Sequence, residues 1–422
     1  MNRSRSGRRK TTGSQILFRY VLVLLVIATL AAGWLFYRTY FGSDKAAALK
    51  AKPAPSQNLD ATEHMPQTEP ETEVPAPETT AAETEPQVMT VTMMAVGDNL
   101  IHNTVYRSGW GTDPWNYDHL YAHVKDDIES ADIAVINQET IFVSDHANVS
   151  NYPAFGTPRE IGDAVYKAGF DVILHASNHA MDKGIQNIYD AIDYWSDKDV
   201  TVLGIHKSAA DAAVPTIVEK NGIKIGMINY TYGLNGFVLP AGNEFAVDLL
   251  DYRDKLLSDI EYLEENADIT VAFLHMGIEY MVTPSAASKE MVELVVSHGV
   301  DLCINAHPHV VEPCVDYVAK NGNKAVVYYS LGNFISAQNR LDSLLGGMAK
   351  LTIQKTVQNG TSVTEVTEHE LLPIVTHSAY GTAYSVYHLE DYNDTLGSQH
   401  IMHRMTTKEL WNRWHEIVGD EE

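Results

Sequence analysis

The sequence predicts an α/β protein: a sheet covered on both faces, with a functional site at the carboxyl ends of its strands. One membrane-spanning helix and a disordered linker precede it. Three observations carry that reading. From Met89 onward, helical stretches alternate with short apolar runs. Five of those runs end in side chains of metal-ligand type. Everything before Met89 has a composition that cannot build a core.

The first segment, residues 1–15, is a basic tail: MNRSRSGRRK carries five cationic residues and no acid. Residues 16–41 predict a transmembrane helix, because the stretch from Tyr20 to Tyr37 holds eighteen residues without a charge, bracketed by Arg19 and Arg38. Spanning a bilayer takes roughly 20 apolar residues, and the flanking arginines can snorkel to complete the length. Trp34, Phe36, Tyr37, Tyr40 and Phe41 cluster at the outer end like an interfacial belt. A cleaved signal peptide competes with this, but its apolar region would stop at small residues, and here the run continues through Trp34, Leu35 and Phe36. An uncleaved, single-pass anchor is expected, with the basic end cytoplasmic and the bulk outside the membrane.

Residues 42–88 predict a disordered Pro/Glu/Thr-rich linker. Within 44–88 lie seven of the sixteen prolines, nine acids against three lysines, and no aromatic residue. Residues 1–43 carry seven net positive charges and 44–88 six net negative ones. The total of −25 therefore leaves −26 on 89–422. That surface excludes nucleic acid as a partner. The two cysteines, Cys303 and Cys314, make no disulfide framework, and whether they pair is open.

In the domain itself, HLYAHVKDDIESAD leads into IAVINQET, REIGDAVYKAGF into DVILHASNHAMD, DYRDKLLSDIEYLEENAD into ITVAFLHMGIEY, and SKEMVELVVSHGV into DLCINAHPH. The opening run, VTMMAVGDN, lacks a helix before it but ends alike. Continuous apolar strands imply a sheet buried on both faces, and ligands of open α/β sheets bind at the carboxyl ends of the strands. Those ends supply Asp98, Glu139, Asn178 with His179, His275, and His307 with His309. Taken singly, each has a bland explanation: an Asx turn at Asp98, a solvated acid at Glu139, a core histidine at His275. Taken together, one site explains five coincidences at equivalent positions. Mixed nitrogen and oxygen ligands without thiolate suit Zn, Mn or Fe, as one ion or a pair. Asn-His-x-x-Asp also places Asp182 about one turn from His179.

In this order, GDNLIH, INQET, ASNHAMDKG, FLHMGIEY, NAHPHVVEP and YSLGNFIS resemble the capsule-biosynthesis CapA (poly-γ-glutamate synthesis) family, itself similar to the calcineurin-like metallophosphoesterases. The resemblance spans about residues 90–376, so the expected domain is 89–376, with 377–422 an appended C-terminal extension. It implies a metallophosphatase-like layered sandwich. By position, Asp98, Glu139, Asn178, His275, His307 and His309 match metal ligands, with Glu139 where a bridging carboxylate sits and Ala306 replacing a glycine. His179 matches the histidine that faces the leaving group, with Asp182 orienting it. The sequence departs from the phosphoesterase pattern on the first strand, where Asn99-Leu100 follows Asp98 and the nearest histidine is His102, and in the second motif, which reads Asn137-Gln138-Glu139. Either one or two divalent ions are therefore expected.

The resemblance implies a membrane-anchored metal-dependent hydrolase or transferase in capsule or poly-γ-glutamate biosynthesis. Its partners would be the membrane, the cell-envelope polymer and other capsule-synthesis membrane proteins. The alternative is a non-enzymatic scaffold for the exported polymer with a structural or vestigial metal site. Glu279 and Asn333 are candidates for supporting or substrate-facing roles. At 406–418, TTKELWNRWHEIV predicts a helix with Leu410, Trp411, Trp414 and Ile417 on one face.

Overall fold

The computed structural model describes residues 85–111, 114–379, 383–401 and 404–419. The expected tail, the membrane helix and nearly all of the linker lie outside these residues. Among those described, no helix is long and apolar enough to cross a membrane.

In chain order the early strands are β1 (Gln87–Asn99), β2 (Ile133–Asn137), β3 (Phe142–Val143), β4 (Thr157–Pro158), β5 (Val172–Leu174), β6 (Thr201–Leu203), β7 (Thr216–Lys220) and β8 (Ile223–Thr231). The later ones are β9 (Ile269–His275), β10 (Leu302–Ala306), β11 (Val311–Val318), β12 (Lys324–Leu331), β13 (Asn333–Ile335), β14 (Leu345–Gln358), β15 (Thr361–Ala379) and β16 (Ala383–His388). Five helices matter for packing: α1 (Arg159–Ala168), α2 (Ile185–Ser196), α3 (Arg253–Asn266), α4 (Ala286–Ser297) and α5 (Thr407–Val418).

Two mixed sheets form the middle of the domain. One is ordered β16-β15-β14-β1-β2-β5-β6, with β13 also paired to β1, and the other β11-β12-β10-β9-β8-β7. β1, β2, β5 and β6 run parallel, as do β8, β9, β10 and β12. Because alternate side chains of a strand face opposite ways, each sheet has two apolar faces to cover. Met94, Val96, Ile136 and Ile173 of the first sheet pack on Ile161, Val165, Ile188 and Trp195 of α1 and α2. The opposite face, with Met93, Ala95, Val135 and Val172, meets Ile225, Met227, Phe273 and Ile304 of the second sheet. The far side of that sheet buries Ala272, Leu274 and Cys303 under Leu256, Ile260, Met291 and Val295 of α3 and α4. The result is a helix–sheet–sheet–helix sandwich. The five apolar runs read from the sequence are β1, β2 and β5 in one sheet and β9 and β10 in the other, so the site joins the carboxyl edges of both.

Two boundaries differ from the sequence reading. β1 starts at Gln87, because residues 87–96 pair antiparallel with 348–357 and extend the strand into the end of the linker. Residues 377–422 are integral rather than appended. β15 runs through position 377, and β16 pairs with it from Ile374 to Ala379. Leu410, Trp414 and Ile417 of α5 are buried in the core between the sheets, whereas Trp411 packs at its margin. Both cysteines are free.

Candidate metal centre

Strand β1 ends where Gly97 lies against the chain at Gly332, and a Cβ there would sit 1.9 Å from the Gly332 carbonyl oxygen. That close approach lets Asp98 N–H donate to Gly332 O at 2.9 Å and turns the Asp98 carboxylate into the space beyond the sheet. β2 delivers Asn137 and then Glu139. β5 is followed by Asn178 and His179, β9 terminates in His275, and β10 leads into His307-Pro308-His309. The proline answers why two histidines share this turn. His307 and His309 have φ of +101° and +59°, values that non-glycine residues seldom adopt. Pro308 cannot relax the turn, and its carbonyl accepts Tyr280 N–H at 2.8 Å. Both imidazoles are thereby aimed at the same place.

Asp98, Glu139, Asn178, His275, His307 and His309 all converge there and are all buried. Glu139 is shared by two clusters, one with His275 and His307 and the other with Asp98 and His309. Within each cluster the potential ligand atoms lie within 4.8 Å of one another. His275 Nε2 is 4.0 Å from Glu139 Oε1, and His309 Nδ1 is 3.8 Å from Oε2 and 2.8 Å from Asp98 Oδ2. Asn178 Oδ1 lies 2.8 Å from His275 Nε2. Asn137 Nδ2 donates to Asp98 Oδ1 at 2.7 Å and lies 3.2 Å from His275 Nδ1, tying the two clusters together.

These residues fit a divalent cation. Both Glu139 oxygens and His307 Nδ1 are buried without a hydrogen-bond partner. A bare buried carboxylate is costly unless a cation or proton neutralises it. Burial pushes the Glu139 carboxyl well above its ordinary range; His309 opposes this, and Asp98, Glu279 and Asp182 add to it. Burial also holds His275 far below its usual value and His307 near about 3, with neighbouring histidines reinforcing both. Those imidazoles are neutral at physiological pH, as metal ligation requires. Burial alone would lower His309, but Glu139 and Asp98 outweigh it and raise it to about 9. Two ions sharing Glu139 would replace the proton on the carboxyl and the charge on that imidazole.

His179 stands beside this set. Its Nδ1 is 2.7 Å from Asp182 Oδ2, and its Nε2 is 4.0 Å from Glu139 Oε1. Asp182 Oδ2 also accepts Phe155 N–H at 2.7 Å, which fixes the carboxylate. The imidazole thus turns Nε2 toward the centre. His102 joins neither cluster: its Nδ1 accepts Ala337 N–H at 3.2 Å. Asn99 supplies no ligand either, because its amide bonds Gln138 and Tyr121 at 2.6 and 3.0 Å. Asn333 Nδ2 donates to His309 O at 3.2 Å and so supports the histidine turn, while Glu279 is exposed at the rim.

Several site residues escaped the sequence reading. Asn235 reaches over His179 with Nδ2 3.3 Å from Nδ1, and its Oδ1 accepts from Asn178 Nδ2 at 3.2 Å. Asn229 accepts Ala176 N–H at 2.8 Å and donates to Phe273 O at 3.1 Å, bracing the ends of β5 and β9. Phe155, Tyr232 and Tyr280 each flank a site histidine, with ring centroids 4.8 Å from His179, 4.6 Å from His307 and 6.1 Å from His309. Only the Asn235-Gly236 pair leaves a trace in sequence, and it reads as a turn.

A layered α/β sandwich carrying paired histidine–carboxylate clusters across the edges of its two sheets is a protein built around a candidate divalent-metal centre. The sequence profile of the family described as bacterial capsule synthesis protein PGA_cap matches residues 92–338, more than half of the chain. The chain belongs to that family, as its motifs led us to expect. It is 28% identical over 227 residues to the PGA biosynthesis protein CapA of Bacillus subtilis, covering 51% of this chain and 56% of that protein. It is 26% identical over 288 residues to the capsule biosynthesis protein CapA of Bacillus anthracis, covering 65% and 66%. The match therefore spans a little over half to about two thirds of these relatives' length. Among solved structures, a putative 5'-nucleotidase from Staphylococcus aureus gives a TM-score of 0.45 at 13% identity, covering 76% of this chain and 58% of that one. The NAD nucleotidase of Haemophilus influenzae gives 0.41 at 8%, covering 78% and 60%. These scores are too low to support an inference about activity.

Proposed function

We propose that this protein is a metal-dependent hydrolase or transferase of capsule assembly, tethered to the outer face of the cell membrane by residues 16–41. In this reading it acts on an envelope polymer such as poly-γ-glutamate. The observation that carries the enzymatic part is Glu139, a fully buried carboxylate with no hydrogen-bond partner, common to two ligand clusters. Asp98 and His309 would hold one ion, and His275, His307 and Asn178 the other. Zn, Mn or Fe suits these donors. When bound, such ions supply Lewis acidity toward a polymer linkage and an acidified water.

The chain's own residues do the rest. Asp182 takes the Nδ1–H of His179, so that in its imidazolium form the Nε2–H faces the centre and can pass to the departing group. Phe155 and Tyr232 wall the histidines off from bulk water. A scaffold without chemistry is the second reading, and it is favoured by the end of β1, where the buried Leu100 stands two residues after Asp98 in place of a further histidine ligand and His102 is turned to Ala337 N–H instead.

The two readings part at His179. His179→Ala should leave metal content and protein level unchanged while lowering polymer output about 10²–10⁴-fold, the usual range for an acid–base group. His307→Ala should lose metal and output together. In the same cells, external protease should release the domain by cutting the linker. Normal polymer output from the His179 variant would establish the scaffold, and protection from protease would overturn the outward topology.

A further inference from the structure

Arg340 places a cation beside the centre, over the ring of Tyr280 that flanks His309. Acidic side chains outnumber basic ones by 26 over residues 89–422, yet Arg340 forms no ion pair among the described residues. Its guanidinium instead lies over the Tyr280 ring, 4.1 Å from the centroid. A guanidinium over an aromatic face is held by cation–π attraction, which leaves its N–H donors available for other partners. Arg340 is itself exposed, so those donors face solvent.

The ring beneath it is tied to the histidine turn. Tyr280 has φ of +66°, a conformation fixed by its N–H bond to Pro308 O at 2.8 Å. Its hydroxyl accepts from Gln338 Nε2 at 3.3 Å, and Gln338 Oε1 accepts from Asn333 Nδ2 at 3.0 Å. Asn333 in turn bonds His309 O at 3.2 Å. The same ring lies 6.1 Å from His309, which puts the guanidinium no more than about 10 Å from that imidazole. A side group on the substrate unit next to the one at the centre would reach it.

Resting on the reading of the centre given above, we infer that Arg340 on its Tyr280 platform is an anion-recognition subsite. It takes a carboxylate or phosphate borne by the repeating unit beside the scissile linkage. The planar donor fork matches either group in two-point fashion. Ions at the centre would hold the reacting unit, while Arg340 would set which polymer enters and in which register. Because acidic side chains outnumber basic ones over residues 89–422, a polyanion docking beside the centre needs a local cation to offset repulsion, and Arg340 supplies one.

The test measures binding of three oligomers to the metal-loaded full chain by calorimetry at low salt: a γ-glutamyl oligomer, the same oligomer with its α-carboxyls amidated, and a glycerol-phosphate oligomer. Wild type should bind one anionic oligomer about tenfold or more tighter than the neutral one, and which one identifies the charged group. Arg340→Ala should erase that margin at unchanged metal content, and Arg340→Lys should keep part of it. Equal margins in wild type and Arg340→Ala, or no anionic preference in wild type, would overturn the subsite. A chain that keeps the margin yet binds no metal would instead overturn the reading of the centre and leave the subsite standing.

Discussion

At the scale of single residues, the domain keeps several buried acids, and the reasons for their states differ. Glu139 is explained by ligands it can share. Asp301 is explained by position alone. It sits at the entry to β10, accepts Thr270 N–H at 3.0 Å, and is pushed up to about 7 by burial, with that hydrogen bond opposing and Glu264 adding. The folded state therefore keeps a proton that the unfolded chain releases from about pH 4 upward. Asp301 contributes least at and above pH 7, and its contribution rises as the pH falls toward 4. Asp301→Asn retains an oxygen for Thr270 and cannot ionise. Its urea midpoint should gain on wild type as pH is raised from 5 to 8, and a difference that does not change with pH would show that Asp301 does not titrate in this range.

Single residues also show what sequence can and cannot say about the site. Asp98, Glu139, His179, His275, His307 and His309 were legible because each follows an apolar run, so strand geometry alone brought them to one edge. Asn229, Asn235 and Tyr232 were not. Their partners lie 44 to 75 positions away or across the sheet junction, and an asparagine in an ordinary loop carries no mark of what it will meet.

At the scale of elements, the parallel strands and their helices were readable from the switch between apolar runs and helical periodicity. The antiparallel part was not. β14 and β15 join through Asn359 and Gly360, both at positive φ, the tight turn that favours paired strands with a right-handed twist. That dipeptide was a usable signal, but the flanking residues 350–370 alternate with polar positions and resemble exposed loop. Their strand form comes from sheet pairing, which a local pattern does not reveal. The same blindness made 377–422 look appended. Its last helix, α5, opens with a complete capping box between Thr406 and Glu409 and inserts Trp414 between the sheets. Arg413 clamps Asp342 through Nε and Nη2 at 2.6 and 2.9 Å. Trp414→Ala should cost about 3–5 kcal/mol in chemical denaturation, the range for deleting a large buried aromatic. A loss within about 0.5 kcal/mol, typical of a surface change, would mean that the helix is indeed an accessory.

At the scale of the whole molecule, the fold explains why this chemistry sits where it does. One sheet alone would bring Asp98, Glu139, Asn178 and His179 to its edge; the second sheet alone would bring His275, His307 and His309. Neither set completes a ligand cluster, since each of the two clusters joins Glu139 of the first sheet to histidines of the second. The sandwich is thus the device that closes the centre, and packing between the sheets and ligand geometry are one problem. Anomalous diffraction from metal-loaded crystals of the chain tests that claim most directly. Two peaks are expected about 3.5–4 Å apart, each within about 2.0–2.6 Å of a Glu139 oxygen. One peak should adjoin His275 and His307, and the other Asp98 and His309. A peak in one cluster only, or metal bound elsewhere with Glu139 left without a ligand contact, would contradict it.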